Sequence, residues 1–285
     1  MLTHNLTFAL MAFTFALGRV GAVEKLMPAE LRTDIVFATA DGTNLTLDAF
    51  IPAGVGPFPT CILVHGGAWV SGSKTSYIKP LFDPLSKAGF TWFTINYRLA
   101  PQHRFPACIE DVESAIRWVK AHAAEYKADP QRIALIGESA GGHLVSLAGV
   151  RAQADTRVAA VVPFYAPHDM ASLVKKNQSS PEWARSLFGV TALNEAAWPT
   201  LRDASPINQI RPGLAPYLLI HGTKDNTVSF EQSLLFQEKM KAVGNTCDLI
   251  SIEGGSHGMG SWEKLDPSYK EKLIAWLREK LATKH

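Results

Sequence analysis

The sequence predicts an α/β fold in which a mostly parallel central sheet carries helices on both faces. Near-continuous apolar runs are typical of strands buried on both faces of a parallel sheet. Stretches with helical spacing lie between these runs, and such alternation predicts a doubly wound α/β architecture. The six runs read, in chain order, TCILVHGG, FTWFTINYR, RIALIGES, VAAVVPFYAP, YLLIHGTKD and CDLISIEGG.

An antiparallel hairpin is predicted ahead of these strands. Residues 33–54 alternate apolar and polar side chains around the pair Asp41-Gly42, which is a turn signal. Helices are predicted over residues 109–126, 229–244 and 267–282, because their apolar residues recur at intervals of three and four. Gly244 is a plausible C-cap of the second of these helices.

The alternation is broken by an insertion between VAAVVPFYAP and YLLIHGTKD. Residues 168–210 contain Trp183, Phe188 and Trp198 together with several Pro and Ser. Because ligands of open α/β sheets bind outside the carboxyl ends of the strands, this segment is a candidate cap and its aromatic residues are candidate pocket residues. The alternative is a surface helix whose aromatic side chains pack onto the core.

Composition indicates one globular domain over residues 23–285. The chain has 285 residues, of which 47% are hydrophobic and 19% charged, which suits a single large core. Its 28 basic and 26 acidic residues are interspersed and give a net charge of +2. We therefore expect no nucleic-acid partner.

The first 22 residues are interpreted as a signal peptide. Residues 6–17 are apolar and are followed by small residues, with cleavage expected after Ala22. The apolar stretch is shorter than the roughly 20 residues that a membrane span needs. We therefore expect a secreted or periplasmic protein without a stable membrane span. A buried N-terminal helix or an uncleaved anchor is the alternative, because the segment before residue 6 has little positive charge.

No cofactor or metal site is predicted. Cys61, Cys108 and Cys247 are far apart and lack zinc or redox spacing, so they allow at most one disulfide. Cys61 and Cys247 each open a strand-like run, which favours two small core residues on different strands. The nine histidines are scattered and no HExxH motif occurs.

Ser139 is the candidate nucleophile. It lies in GESAG, between an apolar strand and a helix-compatible run, where a nucleophile elbow needs small residues two positions before and after the serine. Gly137 and Gly141 meet this requirement. The alternative is a serine that caps a helix.

Asp225 and His257 are the candidate acid and base. Each follows a predicted parallel strand, so both should reach the same carboxyl edge of the sheet as Ser139. The chain order Ser, Asp, His is the order of the α/β-hydrolases. Taken singly, Asp225 could cap a following helix and His257 could be solvated, but their coincidence favours a triad.

The loop HGGAW is the candidate oxyanion hole. It follows the run CILV, and its small residues let backbone amides approach a substrate oxygen. We expect the N–H groups of Gly67, Ala68 and Ala140 to be the donors, with the role of Gly66 open. His65 is expected to orient this loop and not to act as a second base.

The motifs HGGAW, NYRLAPQHRFPACIEDV, GESAGG, HGTKDNTV and GGSHG, in this order, resemble the hormone-sensitive-lipase-like esterases and the related feruloyl and acetyl-xylan esterases. The similarity runs from about residue 34 to the end. It implies an α/β-hydrolase fold with a small cap insertion and a serine carboxylesterase without cofactor, with Ser139 as nucleophile, His257 as base and Asp225 as its orienter. Ala68 departs from the usual glycine, Glu138 stands where Asp is common, and the N-terminal cap is very short.

The function expected from this resemblance is hydrolysis of short-chain or aryl carboxylic esters, including acetyl or feruloyl esters on plant polysaccharide. Trp69 joins Trp183, Phe188 and Trp198 as a candidate substrate-pocket residue. HGGxW is shared with arylformamidases, so amide hydrolysis is the alternative function. A non-catalytic binding protein is disfavoured because all three triad residues are present.

Overall fold

The central sheet of the computed structural model contains eight strands among the described residues, which are 28–176, 182–189 and 195–283. The strands are β1 (Glu30–Ala40), β2 (Thr43–Ile51), β3 (Phe58–Val64), β4 (Thr91–Ile95), β5 (Ala128–Glu138), β6 (Ala160–Phe164), β7 (Tyr217–Gly222) and β8 (Cys247–Ile252). Their order across the sheet is β1-β2-β4-β3-β5-β6-β7-β8.

Six of these strands run parallel, from β4 to β8 across the sheet, and β1 and β2 add antiparallel pairs at one side. The parallel register aligns the strand ends: Val64 pairs with Gly137, and Gly222 pairs with Ile252. The loops that follow β3, β5, β7 and β8 therefore leave from one edge. The α/β-hydrolase fold predicted from the sequence is confirmed.

The predicted hairpin is present as β1 and β2. Asp41 and Gly42 connect the strands with φ of 48° and 71°, so both turn residues adopt the left-handed conformation that tight hairpins favour. Register shifts interrupt β1 between Arg32 and Ile35 and between Val36 and Ala38. Such bulges disturb the unpaired edge of a long outer strand and make it a poorer template for other chains.

Helices cover both faces of the sheet. The described helices are α1 (Phe82–Lys87), α2 (Ala107–Ala121), α3 (Ala140–Arg151), α4 (Met170–Lys176), α5 (Glu182–Phe188), α6 (Trp198–Asp203), α7 (Glu231–Ala242), α8 (Trp262–Leu265) and α9 (Tyr269–Lys280). The buried side chains of α2, α3 and α7 form one core cluster with one face of the sheet. Those of α1, α8 and α9 form a second cluster on the other face.

The insertion at residues 168–210, here called the cap insertion, contains the short helices α4, α5 and α6. Residues 177–181 and 190–194 of the cap insertion lie outside the described residues, as does the predicted signal peptide. Buried side chains of Ala184, Leu187 and Leu201 join the same core cluster as α2 and α3. The cap insertion thus packs on the body of the domain through apolar contacts.

The three cysteines are buried and free. Cys61 lies in the middle of β3, whereas the sequence placed it at the start of the strand, and Cys247 opens β8. Within the described ranges, no group of three or more His, Cys, Asp or Glu side chains could hold a metal ion. No helix among these residues combines the length and the apolar character that a membrane span needs.

Candidate active site

Ser139 occupies a strained turn between β5 and α3. Its backbone has φ of 53° and ψ of −115°, values that are rare for a residue other than glycine. A Cβ on Gly137 would overlap the backbone of Gly141, and a Cβ on Gly141 would overlap that of Val64. The strand and helix therefore approach each other too closely for larger residues, which is the geometry of a nucleophile elbow.

The side chain of Ser139 does not cap the helix, although the residue stands at the N-cap position of α3. Its hydroxyl lies 2.9 Å from Nε2 of His257. Nδ1 of His257 lies 2.7 Å from Oδ2 of Asp225. The structure thus brings the three predicted triad residues into one hydrogen-bonded chain, with the serine and histidine partly accessible and the aspartate buried.

Asp225 and His257 meet because the loops after β7 and β8 are hydrogen-bonded to each other. The amide of Thr223 donates to the carbonyl of Ile252 at 3.0 Å, and the amide of Lys224 donates to the carbonyl of Gly255 at 2.9 Å. The hydroxyl of Thr223 accepts from the amide of Gly254. These hydrogen bonds hold the two loops together, and with them Asp225 and His257.

The carboxylate of Asp225 is surrounded by N–H donors. Oδ1 accepts from the amides of Thr227 and Val228, and Oδ2 faces the rings of His257 and His221. Burial by itself would raise the pKa of Asp225, but the hydrogen bonds from His221, His257 and Val228 outweigh it and hold the pKa well below its usual range. Asp225 therefore stays ionised and orients His257 without taking its proton.

Gly67, Ala68 and Trp69 form the turn of the predicted oxyanion loop, all with positive φ. The amides of Val70 and Ser71 donate to the carbonyl of Gly67, which leaves the turn closed on itself. Among the hydrogen bonds of the described residues, none uses the N–H of Gly67, Ala68 or Ala140 as a donor. The assignment of these three amides as oxyanion donors stays a prediction.

Gly66 has a different task, since its amide donates to the carboxylate of Glu138. A Cβ at Gly66 would overlap that carboxylate, so the contact requires glycine. Burial raises the pKa of Glu138, while the Gly66 amide, the Tyr165 hydroxyl and the His257 ring act to lower it. Glu138, the residue that precedes the nucleophile, thus ties the oxyanion loop to the turn that carries Ser139, a contact that the sequence analysis did not identify.

The ring of His65 contacts the start of this loop, where the sequence analysis predicts an orienting role. Its Nδ1 lies 2.7 Å from the carbonyl of Gly66, and its ring stacks on Tyr97 with centroids 4.3 Å apart. Nδ1 therefore carries the proton and donates it. Burial lowers the pKa of His65 to about 4 against the effect of this hydrogen bond. The ring is neutral near pH 7 and lies apart from the triad hydrogen bonds.

His143 connects the oxyanion loop to the cap insertion. Nε1 of Trp69 donates to Nδ1 of His143 at 3.2 Å, so the other ring nitrogen carries the proton and donates to the carbonyl of Ala204 at 2.7 Å. Burial lowers the pKa of His143 to about 4, although the bond to Ala204 favours the charged form. The neutral ring of His143 thus links Trp69 of the oxyanion loop to Ala204 of the cap insertion, two residues that lie far apart in the sequence.

Three of the four predicted pocket residues form one aromatic cluster. The rings of Trp69 and Trp183 lie 5.3 Å apart, and those of Trp183 and Phe188 lie 6.4 Å apart. Trp69 is only 3% exposed, so its ring offers little surface to a ligand. Trp198 does not join this cluster: its ring faces the ammonium of Lys175 at 4.6 Å.

Three further residues of the site were missed by sequence reasoning, namely Tyr165, His143 and His221. Tyr165 follows β6 and sets its ring edge-on against His257, with centroids 4.8 Å apart. His143 follows Ser139 by four residues on α3, and His221 precedes Asp225 by four. Tyr165 and His221 could have been found from their positions at strand ends, because Asp225 and His257 were predicted from positions of that kind.

Comparisons with known proteins agree with this geometry. The BD-FAE family model matches residues 47–240. Esterase LipC of Mycobacterium tuberculosis is 35% identical over 219 residues, covering 71% of this chain and 53% of the relative. This chain spans about half the length of the first curated relatives that it matches.

Two solved structures have similar folds. A truncated carbohydrate esterase from gut microbiota has a TM-score of 0.76 and 27% identity, covering 92% of this chain and 99% of that one. Butyrate-bound esterase Est2 of Thermogutta terrifontis has a TM-score of 0.72 and 28% identity, covering 89% and 94%. From the family match and this geometry, the chain belongs to the BD-FAE family of hormone-sensitive-lipase-like α/β-hydrolases.

Proposed function

We propose that this chain is a serine carboxylester hydrolase that works through an acyl-enzyme. The observation that carries the proposal is the hydrogen-bonded series from Ser139 through His257 to Asp225, with bonds of 2.9 and 2.7 Å. The names of its relatives support the same reaction class, because they are esterases and carboxylic ester hydrolases.

In the first half-reaction, the hydroxyl oxygen of Ser139 attacks the acyl carbon while Nε2 of His257 takes the hydroxyl proton. The carbonyl oxygen becomes an oxyanion, which the free amides of Gly67, Ala68 and Ala140 stabilise. Asp225 stabilises the imidazolium through Nδ1. The bond to the alcohol oxygen then breaks, and His257 returns its proton to that oxygen as the alcohol leaves.

In the second half-reaction, water attacks the acyl-enzyme and again gives a proton to His257. Collapse of the second tetrahedral intermediate breaks the bond to the serine oxygen, which recovers the proton. The carboxylic acid is released and the site returns to its starting state. Every proton transfer in this cycle uses the one nitrogen that faces Ser139.

For the substrate we propose short-chain or aryl carboxylic esters, including acetyl or feruloyl esters on plant polysaccharide. The rings of Trp69 and Trp183, whose centroids lie 5.3 Å apart, support a short acyl group because they occupy space beside the oxyanion loop, of which Trp69 is part. The butyrate-bound structural relative supports the same size, and the gut carbohydrate esterase supports an ester on a carbohydrate.

Initial rates of the full chain and of Ser139→Ala test this proposal. The substrates are p-nitrophenyl esters from acetate to palmitate, acetylated xylan, methyl ferulate and N-formylkynurenine. We expect serine-dependent cleavage of the short or aryl esters and little turnover of palmitate. Turnover of N-formylkynurenine alone would overturn the ester assignment in favour of an amide hydrolase, and turnover that survives in Ser139→Ala would overturn the mechanism.

We also propose that the chain is exported, with residues 1–22 removed as a signal peptide. The support is the apolar stretch at residues 6–17, whose length suits a signal sequence. Mass spectrometry of the exported protein should give a chain that begins at Val23. Retention inside the cell of a chain that begins at Met1 would contradict this proposal.

A further inference from the structure

A second imidazole contacts the carboxylate of Asp225. His221 is fully buried, and its Nε2 lies 3.3 Å from Oδ2 of Asp225 and 3.0 Å from the carbonyl oxygen of Val228. Oδ2 is the same oxygen that receives Nδ1 of His257 at 2.7 Å. Two histidine rings thus share one carboxylate oxygen, although the hydrolytic cycle uses only one of them.

The protonation of the His221 ring follows from its partners. A carbonyl oxygen accepts hydrogen bonds and cannot donate them, and Asp225 is ionised, so Nε2 must carry the hydrogen. On the opposite side, Nδ1 lies 2.8 Å from the hydroxyl of Ser233 on α7, which donates to it when the ring is neutral. His221 is therefore held in the tautomer that donates to Asp225.

We propose that His221 is a positioning residue for the triad: its Nε2–H fixes the Asp225 carboxylate and moderates how strongly that carboxylate stabilises protonated His257. The proposal rests on the hydrolytic function proposed above. Because the Nε2–H of His221 also contacts Oδ2, it weakens the attraction between the Asp225 carboxylate and protonated His257. Removal of this donor should favour protonated His257 and move the acid limb of activity to higher pH.

Other ionisable groups also interact with Asp225, His257 and His221. Tyr165 interacts with Asp225, and Glu138 interacts with His257. Burial lowers the pKa of His168 well below its usual range, and the charge interaction with His221 adds to that effect. Phe230 completes the surroundings with its ring edge-on to His221 at 5.6 Å. None of these groups replaces the Nε2–H donor of His221.

Two polar substitutions separate a positioning role from a packing role. The amide of a glutamine extends about as far as Nε2 of histidine, so His221→Gln can keep a donor to Asp225. Asparagine is shorter and reaches only toward Ser233, so His221→Asn loses the donor but keeps a polar group there. Both variants place an amide in the same buried position, which makes them a matched pair.

The experiment measures the pH profile of kcat/KM on p-nitrophenyl acetate, and titrates the His257 ring by NMR in the full chain. For His221→Asn we expect the acid limb and the His257 titration to move upward by about half a pH unit to one unit, since a hydrogen bond to a charged group has been lost. His221→Gln should stay close to the parent. The NMR titration needs no turnover, so a parent without esterase activity would refute the proposed function and still test this inference.

Identical titrations of His257 in the parent and in folded His221→Asn would overturn the positioning role, as would equal shifts in both variants. If His221→Asn fails to fold by circular dichroism, Ser233→Ala replaces it, because it frees the ring from its Nδ1 partner. We expect a smaller upward shift in Ser233→Ala. An unchanged titration in that variant would likewise count against the inference.

Discussion

Ser139, Asp225 and His257 follow buried parallel strands, whereas Trp183 and Phe188 lie on α5, a helix of seven residues in the cap insertion. The triad residues are held by the sheet register and by backbone hydrogen bonds between adjacent loops. The cap insertion is attached by apolar packing and by side-chain contacts, such as the bond from His143 to Ala204 and the ion pair of Arg151 with Asp203. The sheet edge therefore determines the chemistry, and the cap insertion is the part that can change selectivity without changing the reaction.

The largest expected effect is at the sheet edge. Ser139→Ala should lower kcat on p-nitrophenyl acetate by on the order of 10⁶-fold, because no other group can form the acyl-enzyme. Its thermal unfolding should match or exceed that of the parent, since the hydroxyl makes no capping bond to α3. Ser114→Ala, on the remote helix α2, is the control and should keep full activity. Activity near the parent level in Ser139→Ala would show that Ser139 is not the nucleophile.

The second effect is on the acid. Asp225→Asn should lower kcat by on the order of 10⁴-fold, because an amide at this position favours the wrong tautomer of His257. Steady-state rates on the same ester measure this loss. Asp155→Asn changes a surface carboxylate that pairs with Arg117 and should leave the rate unchanged. A loss of less than tenfold in Asp225→Asn would show that His257 does not depend on Asp225.

Asp225→Asn should also change how the free energy of unfolding depends on pH. The pKa of Asp225 lies well below its usual range in the folded protein, so the ionised carboxylate contributes stability above the unfolded-state pKa of about 4. This contribution is lost as the pH falls below that value. The free energy of unfolding of the parent relative to Asp225→Asn should therefore decrease on acidification, as denaturant titrations at several pH values would measure.

The third effect is on the oxyanion loop. Glu138→Ala removes the acceptor of the Gly66 amide and should lower kcat by about 10-fold to 100-fold, less than the loss of a whole oxyanion donor. Glu138→Gln keeps an acceptor oxygen and should retain most of the activity. The exposed Glu125→Ala serves as the control. Equal rates in Glu138→Ala and the parent would mean that the loop holds its shape without this contact.

Sequence reasoning located those parts of the site that depend on strand ends. The strands were visible as apolar runs, and parallel strands share one carboxyl edge, so Ser139, Asp225 and His257 could be placed together without coordinates. The strained turn at Ser139 was predictable because Gly137 and Gly141, the small residues that it needs, lie only two positions away in the sequence. Local pattern therefore predicted the fold, and with it the location of the triad.

Contacts between distant segments could not be predicted in this way. The bond from Gly66 to Glu138 joins residues 72 positions apart, and that from Trp69 to His143 joins residues 74 apart. Residue type shows that Trp198 is aromatic but not that its ring turns to Lys175. β5 also begins at Ala128, before the apolar run, because a register shift near Phe58 lets the polar residues 129–132 continue the strand.

The smallest expected effect lies in the cap insertion and concerns substrate selectivity. Trp183→Ala removes the partly buried ring that packs on Trp69 and should widen the space next to the oxyanion loop. We expect kcat/KM for p-nitrophenyl octanoate relative to acetate to rise by about 10-fold, since one added or missing contact in an apolar pocket changes discrimination by roughly 10–200-fold. The rate on acetate should change little because no triad contact is touched.

Trp198→Ala is the matched control, being the same substitution in the same insertion but outside the aromatic cluster. If the two variants change the octanoate-to-acetate ratio equally, selectivity follows the general stability of the cap insertion and not the ring of Trp183. If Trp183→Ala instead lowers the rates on all esters alike, the cap insertion supports the catalytic geometry through Trp69 and His143. The division between a sheet edge that sets chemistry and an insertion that sets selectivity would then be wrong for this protein.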